Sequence, residues 1–155
     1  MIRLTACLFV AVMASACSSV QAYEGPPRDD SQVATIIPEN QRNRQREAGP
    51  FGAPKDGGRV VIRVNGESLR PLKDRFAVLP GRVVVAALYM DERTPYPDRR
   101  LLTESVDLSF NAVAGHTYAV RGRATWPQGK PAVTLWVVDG ATGRSVASVA
   151  VPEAK

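Results

Sequence analysis

The sequence predicts an all-β protein, an immunoglobulin-like or related two-sheet β-sandwich of about seven to nine short antiparallel strands. Three observations lead there. From residue 58 onward, short apolar stretches recur with turn signals roughly every 8 to 12 residues. Several of these stretches alternate apolar and polar side chains with a period of two, the mark of a strand with one buried and one wet face. Long amphipathic helical patterns, which would alternate with strands in a parallel α/β domain, are absent from the sequence.

The first element to justify is one that the fold excludes. Residues 2–16 carry one charged side chain, Arg3, and 4–16 are apolar or small. That run is too short to cross a bilayer and suits a signal-peptide core, so 1–16 read as an export signal. Two cleavages compete. Ala14-Ser15-Ala16-Cys17 resembles the bacterial lipobox, whose cysteine receives a diacylglycerol thioether and becomes the new amino terminus, with Ala14 where leucine is usual. Cleavage after Ala22, with Val20 and Ala22 as the small residues, would instead release a soluble periplasmic protein. Lipidation of Cys17 is the preferred expectation, with 17–22 as a lipidated tether and 23–155 as a single domain. Ser18 lacks the acidic character that retains such proteins at the inner membrane, so the expected address is the periplasmic face of the outer membrane. Several acyl chains make such an anchor stable. Cys7 leaves with the signal and Cys17 is consumed, so no cysteine remains for a disulfide, a thiol nucleophile or a thiolate metal site.

Within the domain, 33–37 is β-branched apart from Ala34 and reads as a first strand ended by Pro38. The segment 38–59 is polar and rich in Gly and Pro, with room for one short helix near 39–48 before Gly49-Pro50 stops it. Val60, Ile62 and Val64 share one face of the next strand, and Asn65-Gly66 is a strong hairpin signal. Phe76 and Val78 precede the Pro80-Gly81 turn, and the apolar run 83–90 predicts a central strand covered on both faces. Residues 92–100 form a loop with Tyr96 between two prolines. Val106, Leu108, Phe110 and Ala112 alternate with polar neighbours. Ala114-Gly115 turns the chain into a strand carrying Tyr118, Val120, Gly122 and Ala124. A "PQGK" turn, the strand 132–139 and a hairpin on Asp139-Gly140 and Gly143 complete the series.

Charge narrows the function classes only slightly. The 155-residue chain has 20 basic and 15 acidic residues; loss of Arg3 with the signal leaves a net of +4, compatible with anionic headgroups or envelope glycans and equally with ordinary solubility. Arg42, Arg44 and Arg46 cluster without interleaved aromatics, so no nucleic-acid partner is expected. His116 is the sole histidine and is expected to hydrogen-bond within its turn. The carboxylates are scattered, and "DGATG" at 139–143 has too few oxygen donors for an EF-hand loop. No catalytic residue, metal site or cofactor is therefore assigned. The candidate binding surface consists of Trp126, Trp136, Tyr96, Arg121 and Arg123. It takes shape if the tryptophans meet on an outer sheet face beside the two arginines.

Taken in order, Cys17, "YEGPPRDDSQVATI", "VNG" at 64–66, "LPGRVVV" at 79–85, "FNAVAGHTY" at 110–118 and "WVVDGATGRSV" at 136–146 resemble small proteobacterial envelope lipoproteins of unknown function. That resemblance spans most of the mature chain and implies no catalytic residues. Three functions compete: a non-enzymatic lipoprotein domain binding an envelope protein, glycan or other component; a subunit of a secretion or surface assembly sharing an edge strand; and a periplasmic hydrolase whose fold brings carboxylates together.

Overall fold

The computed structural model describes residues 19–39, 58–69, 74–91, 100–129 and 132–151. Among them the protein is all-β, with two sheets packed around one apolar core. The strands are β1 (Ser19–Gln21), β2 (Ala34–Pro38), β3 (Gly58–Val64), β4 (Glu67–Ser68), β5 (Arg75–Val78), β6 (Gly81–Asp91), β7 (Arg100–Leu101), β8 (Val106–Ala112), β9 (Thr117–Thr125), β10 (Ala132–Asp139) and β11 (Ser145–Val151). Sheet A has the order β1-β5-β2-β9-β10-β11. Sheet B runs β4-β3-β6, and the far edge of β6 carries β8 along residues 81–87 and β7 at Met90 and Asp91.

The expectation of purely antiparallel strands is corrected. β1 pairs parallel with β5, and β2 pairs parallel with β9. Parallel neighbours cannot be joined by a tight turn, and here the chain supplies the crossover by leaving sheet A for sheet B before returning. Periodicity reports which face a residue occupies but carries no strand direction, so this feature left no mark in the pattern. The strand count also rises to eleven among the described residues, because β1, β4 and β7 are only two or three residues long.

A second correction concerns the amino-terminal side. Residues 19–22 are not tether: β1 pairs Val20 with Phe76, and Val20 and Ala22 are both buried in the core. Among the described residues the sheets therefore take in Ser19 to Ala22 as well as the chain from Tyr23 onward. Asn65 reinforces this from sheet B, its side-chain Nδ2 donating to the carbonyl of Ala22 at 2.7 Å. Asn65 and Gly66 both take positive φ, 50° and 82°, as a two-residue hairpin turn between β3 and β4 requires. Residues 1–18, with Cys17, and the expected helix from residue 40 onward lie outside the described residues.

Two turns move the chain between sheets. Gly81, at φ 117°, follows Pro80 where β5 of sheet A gives way to β6 of sheet B. Gly115, at φ 75°, does the same between β8 and β9, and its N–H bonds to the carbonyl of Val33 at 2.8 Å. In β6, Val83, Val85, Ala87 and Tyr89 are buried while Val84 is exposed, so only one face of this strand is fully covered. Its outward valine and leucine side chains made the run look continuous in sequence.

Tyr89 and Tyr118 are the two largest fully buried side chains among the described residues, and Tyr89 lies over two glycines. A Cβ on Gly122 of sheet A would stand 2.6 Å from Tyr89 Cδ2, 2.7 Å from Val60 and 2.8 Å from Leu135. A Cβ on Gly58 would collide with the hydroxyl end of the Tyr89 phenol, 1.8 Å from its oxygen and 2.1 Å from Cζ. The backbone of Tyr89 is fixed as well: its N–H donates to Thr103 Oγ1 and its carbonyl accepts from Leu102, each at 2.9 Å. Thr103 is one of two buried polar residues among the described residues and is satisfied by that bond. Gly122→Ala is expected to cost about 1–3 kcal/mol through overpacking, read as a lower melting temperature in calorimetry. An unchanged transition would show that the sheets separate freely here.

Candidate functional site

β9 and β10 place the candidate residues by register. Along β10, Val133, Leu135 and Val137 point into the core, so Thr134 and Trp136 lie on the outer face of sheet A. Along β9, Tyr118 and Val120 point inward, which puts Arg121 and Arg123 outward. Trp136 is the direct cross-strand partner of Arg121, and Thr134 that of Arg123. On the other side of β10, Trp136 faces Ser148 and Thr134 faces Ala150. The half-buried indole is therefore flanked by short side chains of β11 and by Arg121 and Arg123 of β9 on the outer face of sheet A.

The two arginines differ. Arg121 Nη2 donates to Glu39 Oε1 at 2.5 Å, and its Nε pairs with the other carboxylate oxygen. Glu39 follows the last residue of β2, and Pro38 is the register partner of Val120, so the parallel β2–β9 pair brings acid and base together. Among the described residues Arg123 has no carboxylate partner and is exposed. A fork held by one carboxylate is oriented but neutralised; Arg123 is the cation that remains for an incoming anion.

Trp126 does not join Trp136. Thr125 is opposite Ala132, so Trp126 lies beyond the end of β9, five residues along the strand from Arg121. At the usual rise this is roughly 16 Å. It is 39% exposed and opens the turn Pro127–Gly129, in which Gln128 takes φ 53°. The expected tryptophan pair is thus two separate features because the hairpin is long and Trp126 belongs to its tip. Tyr96 lies outside the described residues.

The structure also assembles a pair that the sequence left apart. His116 precedes β9 and Asp139 ends β10, and the pairing of Tyr118 with Asp139 brings them side by side. Nδ1 of His116 is 3.2 Å from both carboxylate oxygens of Asp139. Asp139 is buried and also accepts bonds from Ala141 N–H at 2.9 Å and Thr142 Oγ1 at 3.2 Å. Burial pushes its carboxyl upward, but the Ala141, His116 and Thr142 hydrogen bonds with the His116 charge outweigh it and hold the group below its ordinary value. Among the described residues no serine, threonine or cysteine side chain hydrogen-bonds the imidazole. The geometry of the pair is that of a lock between the β8–β9 turn and the β10–β11 hairpin. Twenty-three positions separate the two residues, and only knowledge that β9 and β10 pair could have joined them.

Among the described residues no group of three or more His, Cys, Asp or Glu side chains could hold a metal ion, and no helix is long and apolar enough to cross a membrane. No family model, curated protein or solved structure matches the chain.

The depressed Asp139 carboxyl predicts a pH effect of definite sign. Its contribution to stability is complete above the unfolded value, near 3.8, and is lost as pH falls through the lower folded value. Asp139→Asn should lower stability at neutral pH by about 1–3 kcal/mol. In urea titrations the gap between variant and parent should narrow below pH 4; a gap that widens in acid would contradict the ion pair.

Proposed function

We propose that the chain is a non-enzymatic envelope domain, lipid-anchored through Cys17 at the periplasmic face of the outer membrane, which binds an acidic envelope glycan on the outer face of sheet A. The observation that carries the binding side of this reading is the register of β9 and β10, which sets Trp136 beside Arg121 and Thr134 beside Arg123. A sugar ring presents an apolar face that packs on an indole, and a guanidinium pairs with the carboxylate of an acidic sugar. Short neighbours, Thr134, Ser148 and Ala150, leave the approach flat. Arg121, oriented by Glu39, borders the platform, and Arg123, exposed and without a carboxylate partner among the described residues, supplies a second cation.

The anchor draws its support from β1. Cleavage after Ala22 would delete a strand paired with β5, remove buried Val20 and Ala22, and leave Asn65 Nδ2 without its acceptor. Processing at Cys17 keeps every one of these. The resemblance to small proteobacterial envelope lipoproteins favours the same address. The finer fold name belongs to this proposal too: the β9-β10-β11 and β3-β6-β8 ladders are antiparallel, as in an immunoglobulin-like sandwich, with the parallel β1–β5 and β2–β9 pairs added to them.

One observation favours a second reading, a subunit of a surface assembly. β11 ends sheet A and carries no charged side chain over Ser145–Val151, although free edges are usually guarded by charge or proline.

Titration of the purified protein with acidic peptidoglycan fragments, followed by Trp fluorescence, tests the binding face. Trp136→Ala and Arg123→Glu should each weaken binding about tenfold, or about 1.4 kcal/mol, without lowering the melting temperature. Equal binding by parent and both variants would remove this face from the function. Intact-mass measurement of protein extracted from membranes should give a diacylated amino-terminal Cys17; a mass beginning at Tyr23 would refute the anchor.

A further inference from the structure

We infer that the β9–β10 hairpin tip, led by Trp126, is a second membrane contact, seated in the headgroup layer of the same bilayer that holds the Cys17 lipid. The inference rests on the anchor proposed above and goes beyond it by fixing how the domain meets the membrane.

The argument is one of reach. A single residue, Ser18, separates Cys17 from the first residue of β1. Fully extended, that leash spans about 7 Å between the Cα atoms of residues 17 and 19, so the corner of sheet A where β1 begins stays close to the lipid. β1 runs parallel to β5 and antiparallel to β9, so the chain enters β1 from the end of sheet A toward which β9 travels. The registers align Ser19 with Arg75, and the β5–β2–β9 ladder carries that level on to Ile37 and Ala119. Two extended residues rise no further than the step from Ala119 to Arg121. The hairpin continues beyond that level, through Arg123 and Thr125, to Trp126.

In a flat sheet the tip would project past the anchor by roughly 16 Å, at a lateral distance of about 14 Å, three strand spacings from β1. The ordinary right-handed twist, about 20° at each step, reduces the projection to a few ångströms without reversing its direction. The bilayer that the anchor touches is therefore within reach of the tip, and strands standing normal to the membrane would drive the tip into it. The domain instead leans until the tip rests on the headgroups.

The residues at the tip suit that place. Trp126 is exposed at 39%, and an indole with an apolar body and one N–H donor favours the boundary between headgroups and acyl chains. Arg123, on the same hairpin arm, is exposed and has no carboxylate partner among the described residues, so it complements anionic lipid phosphates. Carboxylates are absent from the sequence between Ala124 and Val138, so nothing acidic in this hairpin opposes the approach.

The test uses the lipidated full-length protein reconstituted in phosphatidylglycerol–phosphatidylethanolamine vesicles. In Trp136→Phe the emission reports Trp126 alone, and lipids brominated near the carbonyl end of their chains should quench it roughly twofold, as expected of an interfacial indole. The paired variant Trp126→Phe, reporting Trp136, should be quenched less. Intact mass and vesicle flotation read the anchor independently. Protein that is diacylated and floats with the vesicles, yet shows unquenched Trp126, overturns the tip contact while leaving the anchor standing. Protein that is not acylated and does not float overturns both.

Discussion

The fold depends on how closely two sheets can approach around Tyr89. A phenol ring fully inside a sandwich must displace something, and here it displaces side chains: Gly58 on its own sheet and Gly122 on the opposite one offer bare backbone where any Cβ would collide. That arrangement sets the local separation of β3 and β6 from β9. Leu102 and Thr103 then hold the Tyr89 backbone from the strand edge, so ring and main chain are fixed together. Tyr118 is the counterpart on sheet A. It packs on Phe110 with ring centroids 4.8 Å apart, and its hydroxyl accepts the Val113 N–H at 2.9 Å, closing the β8–β9 turn. With no cysteine among the described residues, these two aromatic contacts supply the specificity that a disulfide often supplies in a small β-sandwich.

Much of this was legible because the chain obeys a period of two. β3, β8, β9 and β10 read correctly from Val60, Phe110, Tyr118 and Leu135 with their alternating neighbours, and the Asn65-Gly66 and Pro80-Gly81 turns fell where the sequence put them. The failures have a common physical source. Strand direction, and the identity of the strand alongside, are properties of long-range pairing and leave no local signature. β1 escaped notice because three residues cannot show periodicity, and its burial depends on Phe76 far along the chain.

The candidate face was legible in the same limited way. Alternation put Trp136 opposite in sense to Leu135, but only the β9–β10 register could say that Arg121 rather than Arg123 is its direct neighbour. The partner of Arg121 was beyond sequence reasoning, because Glu39 reaches it through a parallel pair. That acid changes the electrostatics of the platform, giving Arg121 a carboxylate that Arg123 lacks among the described residues. The His116–Asp139 contact has the same character: two turn residues, each unremarkable alone, are coupled by the strands that carry them.

The parallel junction of β2 with β9 also bears on how the protein acquires its structure. β1, β5 and β2 form one three-stranded half of sheet A, while β9, β10 and β11 form the other as a continuous meander. Among the described residues four register pairs, from Thr35 with Thr117 to Pro38 with Val120, sew the halves together, with the Gly115–Val33 backbone bond at one end and the Arg121–Glu39 pair at the other. The meander contains local contacts and can form as soon as its own turns close, whereas the seam must await the alignment of segments distant in sequence, and such pairings are slow. Until then the edges of β2 and β9 are both open, Glu39 and Arg121 are unmatched charges, and the core face of Ile36 is uncovered. The seam is accordingly the place where this chain, while maturing, is most open to pairing with the wrong strand.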